Sequence, residues 1–462
     1  MFDTNTYIER RHRLQAQLDS GLILLMGNNE SPMNYADNTY RFRQDSHFLY
    51  FFGLDSAGLA GLIDIDEQKT TIYGDELTIE HIVWMGPQPT LAERARGVGV
   101  NDTLPYGALE GKLRDALNQG RPVHFLPPYR AENQILLSQW MDIPINSVRA
   151  RSSEALIKAV VSLVSIKSPE EVAEMEKAVN ITRAMHLAAM RRARPGILEA
   201  ELAGIVEGIA LAADGQLSYP AILTVNGQTL HNHYHGNTLK EGQLVLGDFG
   251  AETPTHYAGD ITRTFPVSKT FSTRQKEIYK IVLDTEVACI EALRPGIRYK
   301  DVHLEAARMI TEGLKALGIM KGDTNEAVQA GAHALFFPHG LGHMIGMDVH
   351  DMEGLGEDYV GYAGELERSS QFGLKSLRLA RTLQPGFVLT VEPGIYFIPE
   401  LIDMWQEERK HWEFINYEKA QQYRNFSGVR IEDNVLITEA GHRVLGKSIP
   451  KTIADVEAER QA

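Results

Sequence analysis

The sequence predicts two domains: a smaller α/β domain over residues 1–165, then an α+β domain over residues 166–462 built from two related halves. Three observations predict this. Short apolar, β-like runs alternate with helical stretches through the first part. A helix-start signature, Ser168-Pro169-Glu170-Glu171, marks a boundary near residue 166. Beyond it, the nonapeptides GQLVLGDFG (242–250) and GFVLTVEPG (386–394) superimpose without a gap, so that Asp248 falls on Glu392.

Taken in order, the runs at 22–26, 59–65, 82–85 and 123–126 read as strands, and 109–116 reads as a helix. Phe48, Tyr50, Phe51 and Phe52 form an aromatic cluster suited to a core. At the boundary, Ser168 suits an N-cap, Pro169 the first helical position, and Glu171 completes a capping box. The helix opened there repeats Val172, Met175 and Val179 at helical spacing and runs to a break at Arg194-Pro195-Gly196-Ile197. That tetrapeptide recurs as Arg294-Pro295-Gly296-Ile297, each copy set between two amphipathic helical stretches. The two repeats together imply half-domains that face each other and share one centre, with a pseudo-twofold relation between Asp248 and Glu392. Paired strands are expected around Asp248 and Asp260, joined by a turn containing Pro254, Thr255 and His256.

Composition narrows the function classes. A chain of 462 residues that is 43% hydrophobic can bury more than one core. The single cysteine, Cys289, lies among Ile278, Ile281, Val282 and Ile290 in a helical pattern, so it reads as a small apolar residue and not as part of a disulfide framework. A net charge of −15 argues against nucleic acid as a partner. The start, MFDTNTYIERRHRLQ, has no apolar core of signal-peptide length, and no run approaches the roughly 18 apolar residues of a membrane span. A cytoplasmic protein without membrane contact is the expectation.

Chemistry concentrates in five segments: LVLGDFG, YAGDITRTF, HGLGHMIGMDVHD, VLTVEPGIYF and GVRIEDNVLI. They carry Asp248, Asp260, His343, Glu392 and Glu432, and four of the five set one carboxylate among apolar, β-branched neighbours. An isolated buried carboxylate costs several kcal/mol or more, so four of them with one imidazole imply compensating cations. Oxygen-rich ligation with one histidine suits Mn, Co, Fe or Zn, and bridging carboxylates hold two ions about 3.5–4 Å apart, as in two-metal hydrolytic sites. Any one such Asp alone reads more readily as a turn or edge residue. His339 and His343 at i,i+4 could be a zinc pair on a helix, but no HExxH is present and Gly340 and Gly342 disfavour a helix there.

Tyr40-Arg41-Phe42-Arg43-Gln44-Asp45-Ser46 and Phe48-Leu49-Tyr50-Phe51-Phe52-Gly53, followed by the five ligand segments in this order, resemble the proline-specific branch of the pita-bread metallopeptidases. That fold is shared by prolidases, aminopeptidases P and methionine aminopeptidases, the last of which lack the N-terminal domain. The resemblance covers almost the whole chain and implies an N-terminal aminopeptidase P-like domain before a pita-bread catalytic domain. It further implies two divalent ions, Mn foremost with Co, Fe or Zn as alternatives. Asp260 and Glu432 would bridge them, with Asp248 completing one site and His343 with Glu392 the other. Glu392 would serve as general base toward water, and His231, His339 and His350 would bind substrate and stabilise the tetrahedral intermediate, His350 contacting the scissile carbonyl oxygen. The family places Tyr after the first of these histidines, whereas Asn232 follows His231 here.

The segment Gly373-Leu374-Lys375-Ser376-Leu377-Arg378-Leu379-Ala380-Arg381, together with Leu401-Ile402-Asp403 and Ile415-Asn416-Tyr417-Glu418, resembles prolidases more than aminopeptidases P. Arg378 would then grip the free carboxylate of a dipeptide through its bidentate fork, and Tyr219 would either line the pocket or pack in the core. The substrates implied are small peptides with proline second, whose imide nitrogen has no N–H for ordinary peptidase contacts. Relatives imply a homodimer. The alternatives are an Xaa-Pro aminopeptidase acting on longer peptides and, more remotely, a non-catalytic pita-bread binding module or a creatinase-like metal-free hydrolase. Retention of all five ligands speaks against the last two.

Overall fold

In the computed structural model, which describes residues 2–462, the first part of the chain forms one five-stranded sheet. Its order is Asp102–Leu104, Lys69–Tyr73, Ala60–Asp64, Leu22–Met26, Val123–Phe125. Leu22–Met26 runs antiparallel to Ala60–Asp64 and parallel to Val123–Phe125. These two central strands are almost wholly buried, which matches their near-continuous apolar sequence. The helix Ser46–Phe52 packs on both of them. Asp45 caps it by accepting from the Phe48 N–H at 2.9 Å, Gly53 ends it in the left-handed region, and Phe48, Tyr50, Phe51 and Phe52 are all buried.

Residues 82–85, expected as a strand, belong instead to the helix Ile79–Met85. The Thr78 hydroxyl accepts from the His81 N–H while the His81 ring accepts from the Thr78 N–H, a reciprocal cap that starts a helical turn. A short apolar run has no periodicity that separates strand from helix, so the cap decides. Two strands, Lys69–Tyr73 and Asp102–Leu104, carry exposed polar positions and gave no apolar run to read.

The chain divides into two compact units, Met1–Val164 with Gly354–Tyr359, and Ser165–Glu353 with Val360–Ala462. The second unit opens on the helix Pro169–Arg192. The Ser168 hydroxyl accepts from the Glu171 N–H and the Glu171 carboxylate accepts from the Ser168 N–H, completing the capping box read from the sequence. Cys289 is buried in the helix Thr273–Ala292. Among the described residues, no helix is long and apolar enough to cross a membrane.

The internal duplication is visible as repeated hydrogen bonding. Gly196 N–H donates to Leu239 O and Gly296 N–H to Leu383 O, each at 2.9 Å. Leu239 N–H then donates back to Ile197 O and Leu383 N–H to Ile297 O, again at 2.9 Å. The shift that carries residue 239 to 383 also carries Asp248 to Glu392. It carries Gly242 (φ 81°) to Gly386 (φ 88°) as well, equivalent left-handed turns that lead into equivalent strands. In the first half, Leu244–Phe249 lies between Ile222–Thr224 and Ile261–Pro266, antiparallel to both, with Asp248 opposite Thr262. In the second, Val388–Val391 pairs with Asp433–Thr438, which pairs with Gly441–Val444, and Gly394–Tyr396 pairs with Gly428–Arg430. Asp248 is thus inside a strand, while Asp260, Glu392 and Glu432 each stand one residue outside one.

Candidate functional site

These strand ends open on a cavity of about 490 Å³ in the second unit. All ten residues singled out from the sequence line it: Tyr219, His231, Asp248, Asp260, His339, His343, His350, Arg378, Glu392 and Glu432. At its base, donor atoms of Asp260, His343 and Glu432 lie within 4.8 Å of one another. His343 Nε2 is 3.3 Å from Asp260 Oδ2 and 3.7 Å from Glu392 Oε1. Its Nδ1 faces the Met344 carbonyl at 3.0 Å, which can only accept, so Nδ1 carries a proton and Nε2 is the nitrogen presented to the carboxylates. The Tyr219 hydroxyl sits between Asp248 Oδ1 at 2.6 Å and Asp260 Oδ1 at 2.5 Å, and the residue lines the cavity.

Excess negative charge dominates the electrostatics. Burial, with Asp260 and Asp248 nearby, pushes the Glu392 carboxyl up to about 7 against the pull of His343 and Arg430. Burial and the neighbouring acids push Glu432 well above the usual carboxylate range, and burial raises Asp248 too. Asp260 alone is held below its ordinary value: burial opposes this, but the hydrogen bond and charge of His343 prevail. Buried Asp248, Asp260 and Glu432, half-buried Glu392 and one imidazole, short of positive charge, offer a donor set suited to divalent metal, with Asp260, His343 and Glu432 close enough to hold an ion together.

A second layer holds these groups, and the sequence reading missed it. Arg430 donates from Nη2 to Asp248 Oδ2 at 2.5 Å, from Nη1 to the Tyr396 hydroxyl at 2.8 Å and from Nε to Thr262 Oγ1 at 3.1 Å. Thr262 Oγ1 donates to Glu432 Oε2 at 2.6 Å, and the Asn434 side chain clamps the Asp260 backbone through both N–H and carbonyl. Arg263, fully buried, donates to the Glu432 carbonyl and to Asp433, which Lys451 also reaches at 2.6 Å. Alternation along a strand offered one signal for Arg430: it stands two residues before Glu432 and so on the same face.

The histidines divide into two groups. His339 is half-buried beside Arg430 and held neutral, its pKa pulled down to about 3 chiefly by loss of contact with water. Its Nδ1–H donates to Gly340 O at 2.7 Å and its Nε2 accepts from the Tyr396 hydroxyl at 2.8 Å. The segment carrying His339 and His343 is not helical, as the glycines implied. His231 and His233 are exposed at the rim, and between them Asn232 turns aside to Thr224 Oγ1 at 3.1 Å. The His350 ring stands edge-on to His343, with ring centres 4.3 Å apart, and burial lowers its pKa. Its Nδ1 bonds Glu353 Oε2 at 2.5 Å, while the other Glu353 oxygen pairs with the Arg378 guanidinium. Glu353, held down to about 2 chiefly by the His350 hydrogen bond, was also missed, although it lies three residues beyond His350.

Residues 173–439 match the metallopeptidase family M24, and residues 7–124 match the aminopeptidase P N-terminal domain. The human Xaa-Pro dipeptidase is 32% identical over 460 residues, covering 97% of this chain and 90% of that protein. The Xaa-Pro aminopeptidase of Haemophilus influenzae is 33% identical over 456 residues, covering 97% and 95%. Zinc-substituted E. coli aminopeptidase P in complex with product superimposes with a TM-score of 0.82 at 31% identity, over 100% of this chain and 98% of that one. The fold and the carboxylate-rich centre define a metallopeptidase with a pita-bread catalytic domain. The chain belongs to metallopeptidase family M24 and carries the aminopeptidase P N-terminal domain ahead of its catalytic part.

Proposed function

We propose that this metallopeptidase hydrolyses the imide bond of Xaa-Pro dipeptides, releasing the residue that precedes proline. The observation that carries the choice of dipeptides is the presence of Arg378 in the same cavity as the carboxylate cluster. A cavity of about 490 Å³ falls among small-ligand sites, roughly 300–1,000 Å³, and a guanidinium there meets a carboxylate that only a dipeptide places next to its proline ring. The second reading, an aminopeptidase acting on longer Xaa-Pro peptides, is supported by relatives of that name at equal identity.

In this reading Asp260 and Glu432 would be ligands common to two divalent ions, Asp248 would serve one of them, and His343 with Glu392 would serve the other. When bound, the ions supply Lewis acidity and an ionised water near neutral pH. Glu392 would take the proton of the attacking water and return it to the imide nitrogen, which has no hydrogen of its own. His350 meets the developing oxyanion, and His231 at the rim receives the substrate's N-terminal residue. His339 acts as a neutral fixture that holds Tyr396 and, through it, Arg430. Oxygen-rich ligation favours manganese, with Co, Fe and Zn as alternatives. Cytoplasmic residence and a homodimer complete the reading. The helix Ile79–Met85, none of whose residues is buried, offers Ile79, Val83 and Trp84 as an apolar face for a second copy.

Kinetics on Gly-Pro and Ala-Pro against Ala-Pro-Ala tests the choice. The dipeptides should be cleaved well and the tripeptide poorly. A lost charge-assisted contact is worth roughly 1.5–3 kcal/mol, so Arg378→Ala should lower kcat/KM for the dipeptide by about ten- to a hundredfold and should not lower it for the tripeptide. A parent enzyme that prefers tripeptides, with both lengths equally affected by Arg378→Ala, would replace this reading with the aminopeptidase one.

A further inference from the structure

Arg378 already has an anionic partner. One Glu353 oxygen pairs with its guanidinium, the other bonds His350 Nδ1 at 2.5 Å, and the Glu353 side chain is 43% exposed beside these two cavity-lining residues. A carboxylate on a guanidinium, next to an imidazole that meets the reacting carbonyl, has the chemistry of the substrate end that Arg378 is expected to hold.

We propose that Glu353 is an internal stand-in for the substrate carboxylate: it occupies Arg378 until a dipeptide displaces it, and meanwhile fixes the ring of His350. The inference rests on Arg378 binding that carboxylate. It accounts for length selection by competition. A dipeptide brings a charge that takes Glu353's place on the guanidinium, and Glu353, still anchored to His350, passes wholly to the imidazole as the substrate seats. A longer peptide brings no charge to that point, so the Arg378–Glu353 pair stays closed and walls off the end of the pocket. Discrimination then comes from a contact built against the wrong ligand as well as one built for the right one. Glu353 is a positioning residue for His350 and a specificity residue through Arg378, without touching the bond that breaks.

Glu353→Gln keeps the size of the side chain and removes its charge, so it separates the two roles. In the metal-loaded full-length enzyme, equilibrium binding of L-proline should tighten by about five- to twentyfold, the scale of one charge-assisted contact released from competition. Binding of prolinamide, which has no carboxylate, should not change. For Gly-Pro, KM should fall while kcat drops about tenfold, because His350 loses the anion that orients it. A merely structural role would weaken both ligands together and raise KM. Two failures are distinguishable. If the parent binds proline and prolinamide equally and Arg378→Ala alters neither, the carboxylate reading of Arg378 falls and takes this one with it. If the parent discriminates through Arg378 but Glu353→Gln binds proline no tighter, the stand-in alone is overturned. Unchanged melting temperature and metal content of the Gln variant exclude misfolding as the cause.

Discussion

The edge of the His350 ring faces His343, and its Nδ1–H donates to the Glu353 carboxylate, so Nε2 donates to a substrate oxygen when the ring is protonated, a form that Glu353 supports. His350→Ala should therefore cut kcat by about a hundredfold or more with the metal still bound, the loss expected of one preorganised donor to an oxyanion. Turnover and elemental analysis of the same sample check it; loss of metal would instead make the ring a support for His343. That Asp248, Asp260, His343, Glu392 and Glu432 converge on one cavity was legible in the sequence, because a lone charge among β-branched residues has no bland use when it recurs in that order. Arg430 and Glu353 were not. A single Arg or Glu in sequence looks like ordinary surface, and the role of Arg430 depends on meeting Asp248, 182 residues away, through strand register that the sequence around it does not specify.

Among elements, the strands that carry Asp248 and Asp260 pass so close that Gly250 has no room for a side chain: a Cβ there would lie 1.7 Å from the Gly259 carbonyl oxygen. Gly250→Ala should cost at least the roughly 1–3 kcal/mol typical of overpacking and spread the two aspartates, lowering bound metal together with the melting temperature. Gly208→Ala is the contrast. It sits exposed in the helix Glu199–Ala212 with nothing within 4 Å of a new Cβ, so it should be neutral or stabilise by about 0.5–1 kcal/mol. Thermal melts and metal content of the two variants decide between a crowded crossing and a generic glycine effect. This crossing was half legible: the GQLVLGDFG and GFVLTVEPG match gave the duplication, and the repeated Gly196–Leu239 and Gly296–Leu383 bonds give it a physical basis. The helix Ile79–Met85 was not legible as a helix, since four apolar residues in a row satisfy either period and only the Thr78–His81 cap distinguishes them.

At the scale of the whole molecule, two sets of buried titratable groups pull stability in opposite directions with pH. His186 and His303, pulled down to about 3 by burial, and His333, to about 4, stay neutral in the fold but charge in the unfolded chain below their ordinary value of 6.5. The unfolded state then binds more protons, so the stability they contribute is present above about pH 6.5 and is lost as pH falls toward 4 and 3. The carboxylate cluster has the other sign. Glu392, raised to about 7 from 4.5, contributes stability to metal-free protein that is full below about 4.5 and is lost as pH rises through 7, and Glu432 and Asp248 act in the same direction. Divalent cations need these carboxyls ionised and compete with their protons, so binding cancels the second slope and leaves the first. The metal-loaded enzyme should lose melting temperature on acidification below pH 6.5. The gain in melting temperature on adding metal to chelator-treated protein should be larger at pH 8 than at pH 5.5. A gain that is equal at the two pH values, or larger at 5.5, would mean that the buried carboxylates are not the groups the cations neutralise.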